Sequence, residues 1–192
     1  MPHINILKEM LKETAIVPLE NHPYGKESKQ VTLTEPGLYS VSIKGLPSED
    51  QVVVFKTDDY PAPRHIFKGD RGECKRADFV IICDTEAIKI ILFIELKAKS
   101  NTSSKKHIVQ QLKGSQCVVK YSQEIGKLFW NPLFLDDFQY RFVCLSDINL
   151  DKRKSQACKD LTLHDTPEKM LKINSPRHLQ FKQLIGKANA QE

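Results

Sequence analysis

Apolar positions along this chain change their spacing from one segment to the next, and each spacing predicts an element. In residues 4–14 the apolar side chains fall at 4, 7 and 11 with Met10 beside them, which is the helical period; Pro18, Pro23 and Gly25 close that helix off. Segments 31–33 and 38–43 flank Thr34-Glu35-Pro36-Gly37, a good turn sequence, and predict a short hairpin. Residues 51–56 read as a strand, and the proline- and glycine-containing stretch 58–72 reads as a loop.

Two apolar runs then end in charge. Arg76-Ala77-Asp78-Phe79-Val80-Ile81-Ile82-Cys83-Asp84 is followed, after a short turn, by Ile88-Lys89-Ile90-Ile91-Leu92-Phe93-Ile94-Glu95-Leu96-Lys97. Both are rich in β-branched and aromatic residues and short enough to be buried strands of a sheet covered on both faces. The period of two puts Glu95 and Lys97 on one face, and a hairpin brings Asp78 beside Glu95. Two carboxylates and a lysine at the end of apolar strands are costly to place for stability alone. They suit a divalent cation and a phosphate.

A polar linker, 98–106, leads to a helix predicted over 107–129, with Ser103 or Ser104 as its cap. Projected at about 100° per residue, Ile108, Leu112, Val118, Val119, Ile125 and Phe129 share one sector. Gln111, Ser115 and Ser122 fall in the same sector, which is odd for an apolar face. Lys106, Lys113, Lys120 and Lys127 form a stripe opposite, as expected of a solvated face. Segment 140–148 predicts a further strand and 176–186 a short C-terminal helix, with 187–192 frayed.

Composition narrows the partner class. The net charge is +5, and the second half of the chain holds the excess: seven lysines against one acid between Lys97 and Lys127, and nine basic residues against four acids between Asp151 and Lys187. Phosphate backbones bind such surfaces through a salt-sensitive electrostatic term. No run of apolar residues is long enough to span a membrane, and the N-terminus lacks the basic start and apolar stretch of a secretory signal, so an intracellular, cytoplasmic protein is expected. Five cysteines without a close pair read as reduced thiols; the sharper alternative is a zinc site using Cys74 or Cys158 with His65 or His164.

Asp78 followed by Glu95-Leu96-Lys97 resembles the signature of the PD-(D/E)xK nucleases, with Ala77 standing where the motif's nominal proline falls. The resemblance covers about 51–148, with a helix and hairpin before it in 1–50 and a basic segment after it in 149–192, all within one nuclease-like domain. It implies a restriction-endonuclease-like αβββαβ core, an α/β domain whose central mixed sheet is flanked by helices. It further implies Mg²⁺ or Mn²⁺ held by Asp78, Glu95 and the backbone carbonyl of Leu96, with Lys97 acting on the attacking water or the developing charge. Gln111 is similar to a helix glutamine that reaches the active-site edge in several branches; its other reading is a hydrogen bond to a strand terminus. Glu13 is the choice for an additional acid from the first helix, with Glu73 as rival. Lys99, Lys105, Lys106 and Lys113 are the expected nucleic-acid contacts, with DNA expected over RNA. Specificity is left to a homodimer or a protein partner, and defence against foreign DNA or repair is the role implied. The alternative is a catalytically inactive nucleic-acid-binding or regulatory subunit.

Overall fold

The computed structural model describes residues 1–21, 28–35, 39–97, 104–146, 163–174 and 176–186. The turn at Pro36-Gly37, Ser103, Lys99 and the rest of linker 98–103, Ile148, Cys158 and the tail 187–192 lie outside the described residues. Within them the chain is α/β, with three helices and two mixed sheets.

Helix α1 spans His3–Met10 and stops there because Leu11 turns to extended backbone, φ −86° and ψ 141°. The expected continuation to residue 14 is replaced by one 3-10 turn, Glu13–Ala15. Strand β1, Glu20–Asn21, pairs with β2, Lys29–Glu35, which forms the expected hairpin with β3, Tyr39–Leu46. Strands β4, Val52–Lys56, β5, Phe79–Asp84, and β6, Lys89–Lys97, make an antiparallel meander. Helix α2, Lys105–Phe129, then crosses over to β7, Gln139–Ser146, which pairs parallel to β6. The Ser104 hydroxyl accepts from His107 N and caps α2.

Alternation along β5 and β6 feeds two cores. Phe79, Ile81 and Cys83, with Ile90, Leu92, Ile94 and Leu96, pack against Val31, Leu33, Val41 and Ile43 of the hairpin. Val80, Ile82, Ile91 and Phe93 pack against Ile4, Ile6 and Leu7 of α1 and Ile108, Leu112 and Val119 of α2. The five-stranded sheet therefore carries α1 and α2 on one face and, on the other, a second sheet together with the short C-terminal helix, whose Phe181, Leu184 and Ile185 join the same core; helices flank the sheet, but strands cover most of its second face. The reason is energetic. Four fully buried aliphatic side chains contribute about 1.5–3 kcal/mol each, together comparable to the net stability of a domain, so the inner face of the hairpin cannot be left in water.

The C-terminal segment completes both sheets. Strand β8, Leu171–Asn174, adds parallel to β7, and β9, His178–Gln180, adds parallel to β3. The helix expected over 176–186 is thus a strand followed by one short helix, α3, Phe181–Ile185. A reciprocal capping box between Gln180 and Gln183 starts α3, and Gly186 at φ 68° ends it. Buried Arg141 on β7 ties α3 down, its Nε donating to Ile185 O at 2.9 Å while its other nitrogens donate to Tyr140 O and Gln139 Oε1.

Candidate active site

The site begins with the way Lys75 to Asp78 are held. At the end of β4, Thr57 N donates to Asp78 O at 3.0 Å and Thr57 Oγ1 donates to Ala77 O at 2.6 Å. From α2, Ser115 Oγ accepts from Ala77 N at 2.7 Å and lies 2.9 Å from the Thr57 hydroxyl. Gln111 Nε2 donates to Arg76 O at 3.2 Å. Gly114 lets the helix press on this backbone, since a Cβ there would sit 1.7 Å from Lys75 O. Two of the polar residues in the apolar sector of α2, Gln111 and Ser115, are explained: at this point the helix packs on backbone that their side chains bond, whereas Ser122 donates to Val118 O of its own helix. A proline in place of Ala77 would remove the N–H that Ser115 accepts. Ser115→Ala is expected to cost about 1–3 kcal/mol, because it leaves the buried Ala77 N–H without its acceptor; the urea midpoint measures the loss.

Held this way, Asp78 enters β5 opposite the end of β6. Phe79 registers with Ile94, so Asp78 faces Glu95, and Asp78 Oδ2 accepts from Leu96 N at 2.6 Å. Glu95 has no exposed surface, and its Oε2 has no hydrogen-bond partner. Its Oε1 forms an ion pair with Nζ of Lys97, itself buried and two residues along the same face. Asp78, Glu95 and Lys97 are therefore brought together, with Leu96 between them contributing its N–H to Asp78 and its side chain to the core between the sheets.

The electrostatics follow from burial and crowding of like charge. Burial pushes the Asp78 carboxyl up to about 7, against the Leu96 N–H bond and the Lys97 ammonium, and Glu35 and Asp58 add to the rise. Burial, and then the Asp78 charge, hold Glu95 well above the usual carboxylate range. For Lys97 burial acts downward, but Glu95, Asp78 and Glu35 outweigh it and its pKa is raised.

Glu35 was not among the sequence candidates. It ends β2 on the same side as buried Val31 and Leu33, its Oε2 is buried without a partner, and its charge acts on Asp78, Glu95 and Lys97 alike. The strand period points it toward the core between the sheets, and its effect on the site is electrostatic. Because Glu35 raises the Asp78 pKa, Glu35→Gln is expected to move the acidic limb of any pH–rate profile to lower pH.

The other candidates are placed as follows. Gln111 meets the Arg76 carbonyl, two residues before Asp78, and its Oε1 is buried without a partner. Glu13 is exposed in its 3-10 turn. Glu73 accepts from Gly69 N and Arg71 N, both at 2.9 Å, and so shapes the loop before the site. Lys105 and Lys106 are exposed at the start of α2, while Lys113 is paired with Glu168 at 2.6 Å. Lys99 lies outside the described residues. His164 contacts Leu184 O through Nε2 at 2.7 Å.

No protein-family model, curated protein or solved structure matches this chain.

Among the described residues, no group of three or more His, Cys, Asp or Glu side chains is arranged to hold a metal ion. Asp78 and Glu95 nonetheless offer carboxylate oxygen, the donor type that a hard cation takes, with Glu95 fully buried in this structure. Mg²⁺ is commonly bound through one or two carboxylates, and an all-oxygen donor set favours such a hard ion. The unpartnered Glu95 Oε2 is the atom that lacks a positive partner.

Proposed function

We propose that this chain is a metal-dependent nuclease of the PD-(D/E)xK type, hydrolysing phosphodiester bonds of nucleic acid, with DNA favoured over RNA. The observation that carries the reading is Glu95: fully buried, with an unpartnered oxygen, facing a second carboxylate and paired to a buried lysine. An ordinary strand end at the surface leaves such groups in water, where they need no partner. The order of elements supports the same reading, since α1, the β4–β6 meander, α2 and parallel β7 follow the αβββαβ sequence of a restriction-endonuclease-like core.

Asp78 and Glu95 would hold Mg²⁺ or Mn²⁺, which supplies charge neutralisation at the phosphoryl oxygens and a more acidic bound water. Asp78 is kept in position by the Leu96 N–H, and Glu95, near the end of β6, by its ion pair with Lys97. Lys97, two residues beyond Glu95 on the same face of that strand, would offer its ammonium to the attacking water or to the charge that develops on phosphorus. Water adds to phosphorus, the bond to one ester oxygen breaks, and a phosphomonoester and a hydroxyl leave. Exposed Lys105 and Lys106 supply part of the electrostatic attraction for the strand.

The test is incubation with single- and double-stranded DNA and RNA, with and without Mg²⁺ or Mn²⁺. Cleavage that requires the cation supports the reading. Salt-sensitive binding with no cleavage of any substrate under either ion identifies an inactive nucleic-acid-binding protein instead.

A further inference from the structure

A cleft of about 390 Å³ opens beside the site, between the end of α1, the end of β4 and the middle of α2. Apolar side chains, among them Phe55, Val118 and Ile125, line it together with two aromatic rings, Tyr60 and Tyr121. Tyr60 and Tyr121 meet edge to face with centroids 6.4 Å apart, and Tyr121 is 56% exposed. The Arg76 guanidinium lies over the Tyr60 ring, 5.6 Å from its centroid, and holds it from outside the cleft. Lys12 and Lys56 are exposed beside these rings, next to Asp59.

The position of this cleft along the chain gives it meaning. Lys56 lines it, the next residue Thr57 is bonded to Ala77 and Asp78, and Asp58 acts electrostatically on Asp78. Arg76, which steadies Tyr60, is two residues before Asp78. Cleft and carboxylates are thus two sides of one pinned segment. A volume of this size falls within the range of small-ligand pockets, and it accommodates a planar heterocycle.

We propose that the cleft receives an unstacked nucleobase of a single-stranded segment whose backbone runs on to the carboxylates. The inference rests on the nuclease reading above and specifies its substrate. The choice of occupant follows from the combination of aromatic faces, the two exposed lysines in the lining and adjacency to the proposed phosphate site, which is how single-stranded nucleic acid is held. A base within a duplex has both faces stacked and cannot present one to Tyr121, so an intact duplex is excluded from the cleft.

The experiment is fluorescence anisotropy in EDTA with the full chain. The probes are a single-stranded oligonucleotide, an abasic strand of equal length and a duplex. Stacking on one aromatic side chain is worth roughly 5- to 100-fold in affinity. Tyr121→Ala is expected to weaken binding of the single strand by that factor, to leave the abasic strand unchanged, and to be rescued by Tyr121→Phe. Wild-type affinity of Tyr121→Ala for the single strand overturns the proposal, and so does an equal loss on the abasic strand. Mn²⁺-dependent cleavage of the abasic strand, scored separately, tests the chemistry without a base. If it occurs while Tyr121→Ala binds normally, the nuclease reading stands and the cleft assignment fails; if no strand is cut while the base-dependent loss appears, the reverse holds.

Discussion

Asp78→Asn and Glu95→Gln are each expected to reduce cation-dependent cleavage by about a thousandfold or more, exceeding the roughly 10²- to 10³-fold cost of losing one transition-state donor, because each removes one of the two carboxylates proposed to hold the ion. The same change should make the metal-free protein more stable at neutral pH. Asp78 titrates near 7 in the folded chain and near 3.9 when unfolded, so between those values the folded state binds more protons. Its contribution to stability is therefore greatest at low pH and is lost as pH rises through about 4 to 7. Asparagine carries no such dependence and keeps an oxygen to accept from Leu96 N. In EDTA, Asp78→Asn should gain on wild type by about 2–3 kcal/mol between pH 5 and pH 8, read as the difference in urea midpoints. Loss of activity with a gain in stability identifies a residue kept for chemistry. Full cleavage by both variants would remove the nuclease assignment, and a wild-type stability insensitive to pH over that range would show that Asp78 is not held in a crowded, buried pair.

The heart of the site was legible because it depends only on the period of a strand. Asp78, Glu95 and Lys97 follow from two apolar runs and a hairpin, and the register of Phe79 with Ile94 places them as that period requires. The anomaly on α2 was legible as an anomaly, but its cause was not: Gln111 and Ser115 face backbone, and no hydrophobic projection can show that a helix packs on the lead-in to a strand. Glu35 was hidden for a different reason. It is sixty residues from Glu95 in sequence, and its charge reaches the site only through the packing of one sheet on another, which leaves no pattern in either strand. The second sheet itself was half visible as a hairpin. Its parallel partner β9 was not, because Pro176 to Gly186 contains apolar residues at spacings that serve a short strand and one helical turn as well as a continuous helix. In β8, alternation in Leu171-Lys172-Ile173-Asn174 spans only four residues, too few to distinguish from a loop.

Lys97→Ala is expected to slow the chemical step by about 10²- to 10³-fold while leaving affinity for the strand nearly unchanged. Lys97 is buried and already paired to Glu95, so it is in no position to sweep the surface for phosphates. Its ammonium can serve only a group that comes into the site, and one such contact made chiefly in the transition state accounts for the magnitude. Lys105 and Lys106 are the contrasting pair: exposed at the N-terminus of α2, they can meet phosphate without entering the site. Their joint replacement by alanine should weaken binding and flatten its salt dependence while leaving the rate of the bound complex intact. Single-turnover kinetics at saturating enzyme separates the two. The pH profile adds a readout that a merely structural role would not move. Lys97 holds the Glu95 pKa down, so its removal should raise that pKa further and shift the acidic limb of the Lys97→Ala profile toward higher pH. A Lys97→Ala enzyme that cleaves at the wild-type rate once bound, with an unmoved profile, would show that the lysine serves only to neutralise Glu95 in the absence of substrate.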